Sequence, residues 1–177
     1  MKEYTIQTLI SQEELVKGIR RIADSLNREY EGKQIHLICV LKGGVYFLTE
    51  LSKYLTPDVT VDFMSVSSYG AGTSSSGVVK IIKDLDESIE GKNVVVVEDI
   101  IDSGNTLSYL MELLKDRHPA SIKLCTMLDK PSRRVKQLEP DLTAFVIEDR
   151  YVVGFGLDYN QKHRNLPYIG EIHFKED

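Results

Sequence analysis

Cysteine is nearly missing from this chain: there are two in 177 residues, Cys39 and Cys125, too few for a disulfide framework. Both fall in apolar, strand-like runs, "HLICVL" and "KLCTML", so a buried, reduced thiol is expected at each. No apolar run approaches the ~20 residues of a membrane-spanning helix. The opening "MKEYTIQTLIS" has no signal-peptide core. The expected setting is therefore the cytoplasm, with no membrane partner. Positive charge is also short: 22 Lys and Arg against 27 Asp and Glu leave a net −5, which argues against a nucleic-acid binder held by phosphate contacts. An anionic substrate would then need specific cationic, metal or backbone-amide groups. Common nucleotide and zinc signatures are missing too. There is no Gly-x-x-x-x-Gly-Lys-Ser/Thr loop, and "GFG" at 154–156 lacks the third glycine and following helix of a dinucleotide fingerprint. His36, His118, His163 and His173 are scattered, with no Cys/His cluster for zinc; structural or solvated roles are expected for all four.

What is present is ordinary globular material, 42% hydrophobic and 28% charged, in a length that fits one domain over 1–177. Neither a repeat nor a dividing linker interrupts it. Ser11 and Glu14 stand in capping-box spacing, and Leu15, Ile19, Ile22, Ala23, Leu26 and Tyr30 then share one helical face before Gly32. Strands are expected at 35–41, 59–66, 78–85, 93–98, 121–128, 142–148 and 151–157, with helices over 44–55 and from near Gly104. The alternation predicts an α/β fold with a central, mainly parallel sheet flanked by helices. Val94–Val97 shows no polar alternation, which puts that strand mid-sheet with both faces covered. The segments around 59–85 are expected to form a hairpin at the sheet's edge.

The stretch "VVVVEDIIDSGNTL" (94–107) carries the chemistry. Ligands of open α/β sheets bind beyond the carboxyl ends of strands, where Glu98 and Asp99 stand. Ionised carboxylates there can accept hydrogen bonds from the vicinal hydroxyls of a sugar or hold hydrated magnesium. The turn that follows offers amides, Gly104, and the Ser103 and Thr106 hydroxyls at a helix's positive end, a nest for a phosphate monoester. A diol site beside a phosphate site describes a ribose 5-phosphate.

That stretch resembles the phosphoribosyl pyrophosphate-binding motif of the type I phosphoribosyltransferases. "LKGG" (41–44), "SSYG" (67–70), "DK" (129–130) and "YVVGFGLDYNQKHRNLP" (151–167) are similar to segments of the hypoxanthine(-guanine) branch. The resemblance implies a type I phosphoribosyltransferase-like fold with a small hood from terminal segments and a flexible hairpin lid bearing Ser68 and Tyr69. It implies transfer of ribose 5-phosphate from phosphoribosyl pyrophosphate to a 6-oxopurine with Mg2+ bound, in a homodimer or homotetramer. Glu98 and Asp99 match the ribose-hydroxyl and metal pair, with Asp158 as a further metal contact. Asp102 matches a general base at the purine's imidazole nitrogen; crowding by two other carboxylates is expected to raise its pKa. Ser103, Gly104, Asn105 and Thr106 match the 5-phosphate loop, although Asn105 stands where many relatives carry lysine. Lys42, Gly43, Gly44 and Arg164 match pyrophosphate contacts, and the peptide before the lysine can be cis in this family. Lys130, Tyr151 and Val152 match purine contacts: an ammonium on the 6-oxygen, a stacking ring and backbone at the base's edge.

Three other readings remain open on the sequence. They are a guanine/xanthine-preferring transferase, a non-catalytic sensor of phosphoribosyl pyrophosphate, and a phospho-accepting receiver domain. The last fits poorly with the glycine turn.

Overall fold

The computed structural model describes residues 3–68 and 79–175. Chain order is β1 (Tyr4–Ile10), α1 (Gln12–Glu29), β2 (Gln34–Val40), α2 (Gly44–Ser52), β3 (Asp58–Ser68) and β4 (Val79–Lys83), then β5 (Asn93–Ile101), α3 (Asn105–Lys115), β6 (Ser121–Asp129), β7 (Leu142–Val146), β8 (Val152–Val153) and β9 (Ile169–Phe174). The capping box at the start of α1 is formed. Ser11 Oγ accepts from the Glu14 N–H at 3.3 Å, and Glu14 Oε2 accepts from the Ser11 N–H at 2.8 Å. The predicted apolar face of α1 is buried from Leu15 to Tyr30.

Six strands form a sheet in the order β4-β3-β2-β5-β6-β7. All its pairings are parallel except β3 with β4, the edge hairpin. β5 lies inside this sheet between β2 and β6, and Val94 to Val97 are fully buried. The strand pleat divides them. Val95 and Val97 join the core formed with α1 and α2, including Leu15, Ile19 and Phe47. Val94 and Val96 join a second core with Leu107, Leu110 and Leu114 of α3. This two-sided burial is why the run lacks polar alternation. Along the sheet the chain winds one way from β2 to β3 and the other way from β5 to β7, so strand order reverses between β2 and β5. Such a reversal leaves a crevice at the carboxyl ends of the two strands.

A second sheet, antiparallel β1-β9-β8, supplies the hood. The sequence reading did not find β1 or β9. Each buries mainly one face, with Ile10, Ile169 and Ile172 inside, and their polar alternates hide the pattern. The strand expected over 151–157 is confined to Val152–Val153, because Gly154, Phe155 and Gly156 all take positive φ and turn the chain. In the opposite direction, β5 runs on to Ile101 rather than ending at Glu98. Cys39 and Cys125 are free and buried; burial pushes the Cys39 thiol up to about 12 and raises Cys125 as well. His36 is buried and paired with Thr60 at 2.8 Å, a core histidine. Among the described residues no helix is long and apolar enough to cross a membrane.

Phe47 is wholly buried where α2 covers the sheet. Phe47→Ala should lower unfolding free energy by about 3–5 kcal/mol, measured by urea titration; a loss below 1 kcal/mol would mean α2 does not anchor on this core.

Candidate functional site

The crevice at the β2/β5 reversal is where the chemistry-bearing residues meet. A cavity of about 260 Å³ is lined there by Glu98 and by Asp102 through Thr106, with Val40, Val66 and Leu110 as its apolar wall. The pleat that alternates the valines continues to the strand's tip. Glu98 follows Val94 and Val96 to the α3 side, whereas Asp99 follows Val95 and Val97 toward α2. There Asp99 meets the start of α2 so closely that a Cβ on Gly43 would fall 1.5 Å from Asp99 Oδ2. Glycine is therefore the only residue that lets loop 41–44 and Asp99 share this space. The Leu41–Lys42 peptide is cis.

The two acids stand partly enclosed at the strand end. Burial, then the charge of Asp99, pushes the Glu98 carboxyl well above its ordinary range. Burial also raises Asp99, offset by its contact with Glu98, the Ile100 N–H at 2.7 Å and the charge of Arg164. Glu98 Oε1 accepts from the Asp99 N–H at 3.2 Å. Desolvation and mutual charge disfavour full ionisation of the pair, and a cation or hydroxyl donors would favour it.

Beyond them the chain turns through Ser103 and Gly104 into α3. Gly104 is the N-cap at φ +79, a left-handed conformation that favours glycine, and no side chain caps the helix. Among the described residues, the one side-chain partner at its first turn is Ser103 Oγ, accepting from the Asn105 N–H at 3.4 Å. Apart from that one long contact, the opening amides have no side-chain cap among the described residues, and residues 104–106 line the cavity, the arrangement that attracts an anion. The segment after β6 straps the turn in place. Val135 N–H and Lys136 N–H donate to the Ser103 carbonyl at 2.9 and 3.2 Å, and Arg134 donates to the Asp102 carbonyl at 3.1 Å while pairing with Asp129.

Asp102 sits differently from the sequence expectation of a carboxylate crowded by two others. It is half-exposed, and its Oδ1 accepts from Arg133 Nε at 3.2 Å. The two acids on β5 are enclosed, but the chain leaves that strand at Ile101 and carries Asp102 outward. Lys130 is its neighbour by register: Ile101 pairs with Asp129, and the Lys130 N–H donates to the Ile101 carbonyl at 3.0 Å. The Lys130 side chain is buried, its Nζ donating to the Arg150 carbonyl with Asp149 at 3.9 Å. Val152 is buried in β8, and Tyr151 just before it stands half-exposed.

On the other side of Gly43, Lys42 and Arg164 converge on Gln161 Oε1 at 3.5 and 3.3 Å. Arg164 also pairs with Asp158 at 2.6 Å and donates to the Gly156 carbonyl at 2.7 Å. The structure thus ties Asp158 to Arg164, two residues the sequence assigned to separate tasks. Ser68 ends β3, and Tyr69 lies outside the described residues. Sequence reasoning did not find Gln161, Arg133 or Arg134. Each reaches the site from a polar loop by long-range folding, with no local signal.

Glu98 offers a test by pH. Because its folded form holds a proton above the ordinary value near 4.5, the folded chain binds more protons than the unfolded one just above that pH, and stability falls as pH rises through the window. Glu98→Gln should therefore raise Tm at pH 7.5, with the gain vanishing below about pH 4.5. A pH-independent difference would show that Glu98 is not desolvated.

Comparison with known proteins agrees with this geometry. The phosphoribosyl transferase domain model matches residues 6–160. A "Bifunctional protein TilS/HprT" of Listeria monocytogenes serotype 4b is 53% identical over 164 residues, 93% of the chain, but the chain spans only 25% of that protein's length. A hypoxanthine-guanine phosphoribosyltransferase of Streptococcus thermophilus is 49% identical over 93% of this chain and 91% of its own. The crystal structure of a hypoxanthine-guanine phosphoribosyltransferase from Bacillus anthracis superposes with a TM-score of 0.90 at 43% identity, covering 97% of this chain and 99% of that one. With the motif, the sheet order and the relatives in agreement over nearly the whole chain, it belongs to the phosphoribosyl transferase domain family, on its hypoxanthine-guanine phosphoribosyltransferase branch.

Proposed function

We propose that the protein, as a single domain over 1–177, salvages hypoxanthine and guanine. It joins the base to carbon 1 of ribose 5-phosphate and releases pyrophosphate from phosphoribosyl pyrophosphate. The observation that carries this reading is a cavity at the tip of β5 that joins the desolvated Glu98 to an uncapped helix start, with Asp99 on the other side of the strand tip against Gly43. At this strand tip the ribose hydroxyls donate to Glu98 and Asp99, and the 5-phosphate takes the amides and hydroxyls of Ser103, Gly104, Asn105 and Thr106. Asn105 adds no charge, so the anion rests on amide donors and the helix dipole. Lys42, the Gly43–Gly44 backbone and Arg164 receive the pyrophosphate, with glycine permitting close approach.

The base enters beside Lys130, whose ammonium donates to a 6-oxygen, with Tyr151 stacked on its face and Val152 offering backbone at its edge. An adenine 6-amino group would meet the buried ammonium donor to donor and leave both unsatisfied. As the purine nitrogen bonds to carbon 1 and the bond to pyrophosphate breaks, the imidazole proton passes to Asp102, a general base. Fixed groups that hold sugar and leaving group in line supply most of the remaining acceleration. Ser68 and Tyr69 belong to the lid that keeps water from the activated sugar.

Magnesium fits the donors at hand. Among the described residues no group of three or more His, Cys, Asp or Glu converges, yet Mg2+ typically takes only one or two carboxylates and completes its shell with water and phosphate oxygens. Glu98 and Asp99 would hold the ion with water and phosphate oxygens completing its shell, and Asp158 would be the further carboxylate contact that the family resemblance implies. The ion would neutralise charge on the leaving group. The assembly we assign is a homodimer or homotetramer, which analytical ultracentrifugation would separate from a monomer.

Incubation with phosphoribosyl pyrophosphate, Mg2+ and each of hypoxanthine, guanine, xanthine and adenine tests the reading. Nucleotide should form from hypoxanthine and guanine and hardly at all from adenine; no turnover of any base would favour a sensor instead. Asp102→Ala should lower kcat by about 10²–10⁴ with a smaller change in KM. Lys130→Ala should erode the discrimination against adenine, and intact discrimination would mean another group reads the 6-position.

A further inference from the structure

A cluster of rings links the two ends of the site, and its members come from four separate segments. Tyr151 is 51% exposed, and its ring is met edge-on by Tyr159 and Phe174, with centroids 5.6 and 5.9 Å away. Those two rings meet each other at 5.7 Å. Tyr4 closes the set, 5.3 Å from Tyr159 and 6.2 Å from Phe174. Its place is set by backbone pairing, because Tyr4 faces Phe174 in the β1–β9 ladder.

The far end of Tyr4 does something else. Its hydroxyl is hydrogen-bonded to His163 Nε2 at 2.7 Å. His163 precedes Arg164 and closes a loop in which Asn160, Gln161 and His163 all take positive φ, at 50, 64 and 74°. Side chains rarely adopt that region, so the loop needs holding from outside. It carries Asp158, Gln161 and Arg164.

We propose that Tyr4 is a positioning residue for both substrates at once. Its ring wedges Tyr159 and Phe174, and through them sets the plane of Tyr151. Its hydroxyl holds His163, and through it the loop that presents Arg164. The inference rests on the reading of Tyr151 as the purine platform and Arg164 as a pyrophosphate contact. A ring fixed before the base arrives loses less freedom on stacking, and edge-to-face neighbours stabilise it beyond simple area burial. The same logic applies to the loop: a preset guanidinium binds without an ordering cost.

Steady-state kinetics of Tyr4→Phe, Tyr4→Leu and His163→Asn, with Tyr151→Leu as reference, separate the two arms. Asparagine tolerates positive φ, so His163→Asn removes the hydrogen bond without adding backbone strain. Tyr4→Phe and His163→Asn should raise KM for phosphoribosyl pyrophosphate about three- to tenfold while KM for hypoxanthine stays within about twofold. Tyr4→Leu should raise both, with the hypoxanthine KM up about three- to tenfold. Phenylalanine at position 4 thus rescues the purine arm alone, with kcat changing less than KM. A purely structural role would instead lower the active fraction, and so kcat, in step with Tm and leave both KM values alone. That result overturns the proposal, as does a Tyr4→Phe variant that shifts both KM values equally. Should Tyr151→Leu itself leave the hypoxanthine KM unchanged, the platform reading fails and takes the brace with it.

Discussion

The parallel pairing of β2 with β5 is the contact on which the site depends. Four residue pairs, from His36 with Val94 to Cys39 with Val97, set two strand ends side by side at the point where strand order reverses. One end delivers the glycine loop at 41–44 and the other delivers Glu98 and Asp99. A slip of one residue in that ladder would exchange the faces of all four valines. It would also swap the directions of the two acids, moving Asp99 from Gly43 and Glu98 from the cavity beside α3. Packing on both faces of β5 therefore does more than stabilise the sheet; it orients the carboxylates that extend it.

Those carboxylates stand in an environment that disfavours their charge. Burial raises both, and their mutual repulsion adds to the effect on Glu98. A structure optimised only for folding would not retain such a pair. Its use lies in the response to a ligand: hydroxyl donors or a divalent ion satisfy groups that water reaches poorly, so binding gains what folding forgoes. The uncapped start of α3 follows the same pattern, since free amides are a defect until an anion fills them. The strap from 133–136 keeps this turn in shape without occupying it.

Much of this was legible in the residues because the elements around the site signal locally. A run of four valines inside β5, a capping box at Ser11 and Glu14, and a glycine at the head of α3 each reflect a strong structural demand. The missed elements lack such demands. β1 and β9 bury one face and pair only with distant partners, so their pattern looks like surface chain. The environment of Asp102 was also misjudged, since proximity in sequence to Glu98 and Asp99 says nothing of Arg133, thirty-one residues away. Likewise, the pairing of Asp158 with Arg164 depends on a loop with positive φ at Asn160, Gln161 and His163, a path that sequence periodicity does not reveal. What the resemblance to phosphoribosyltransferases added was the role of residues that look merely solvated when taken one by one.

The central claim is that a pentose phosphate lies across the tip of β5, hydroxyls toward the acids and phosphate on the first turn of α3. A crystal structure of the protein with inosine 5′-monophosphate tests it most directly. The account predicts both ribose hydroxyls within about 3 Å of Glu98 and Asp99 oxygens, with phosphate oxygens receiving the amides of residues 104–106. Nucleotide bound away from this turn, or with its sugar reversed so that the phosphate faces the carboxylates, would contradict it.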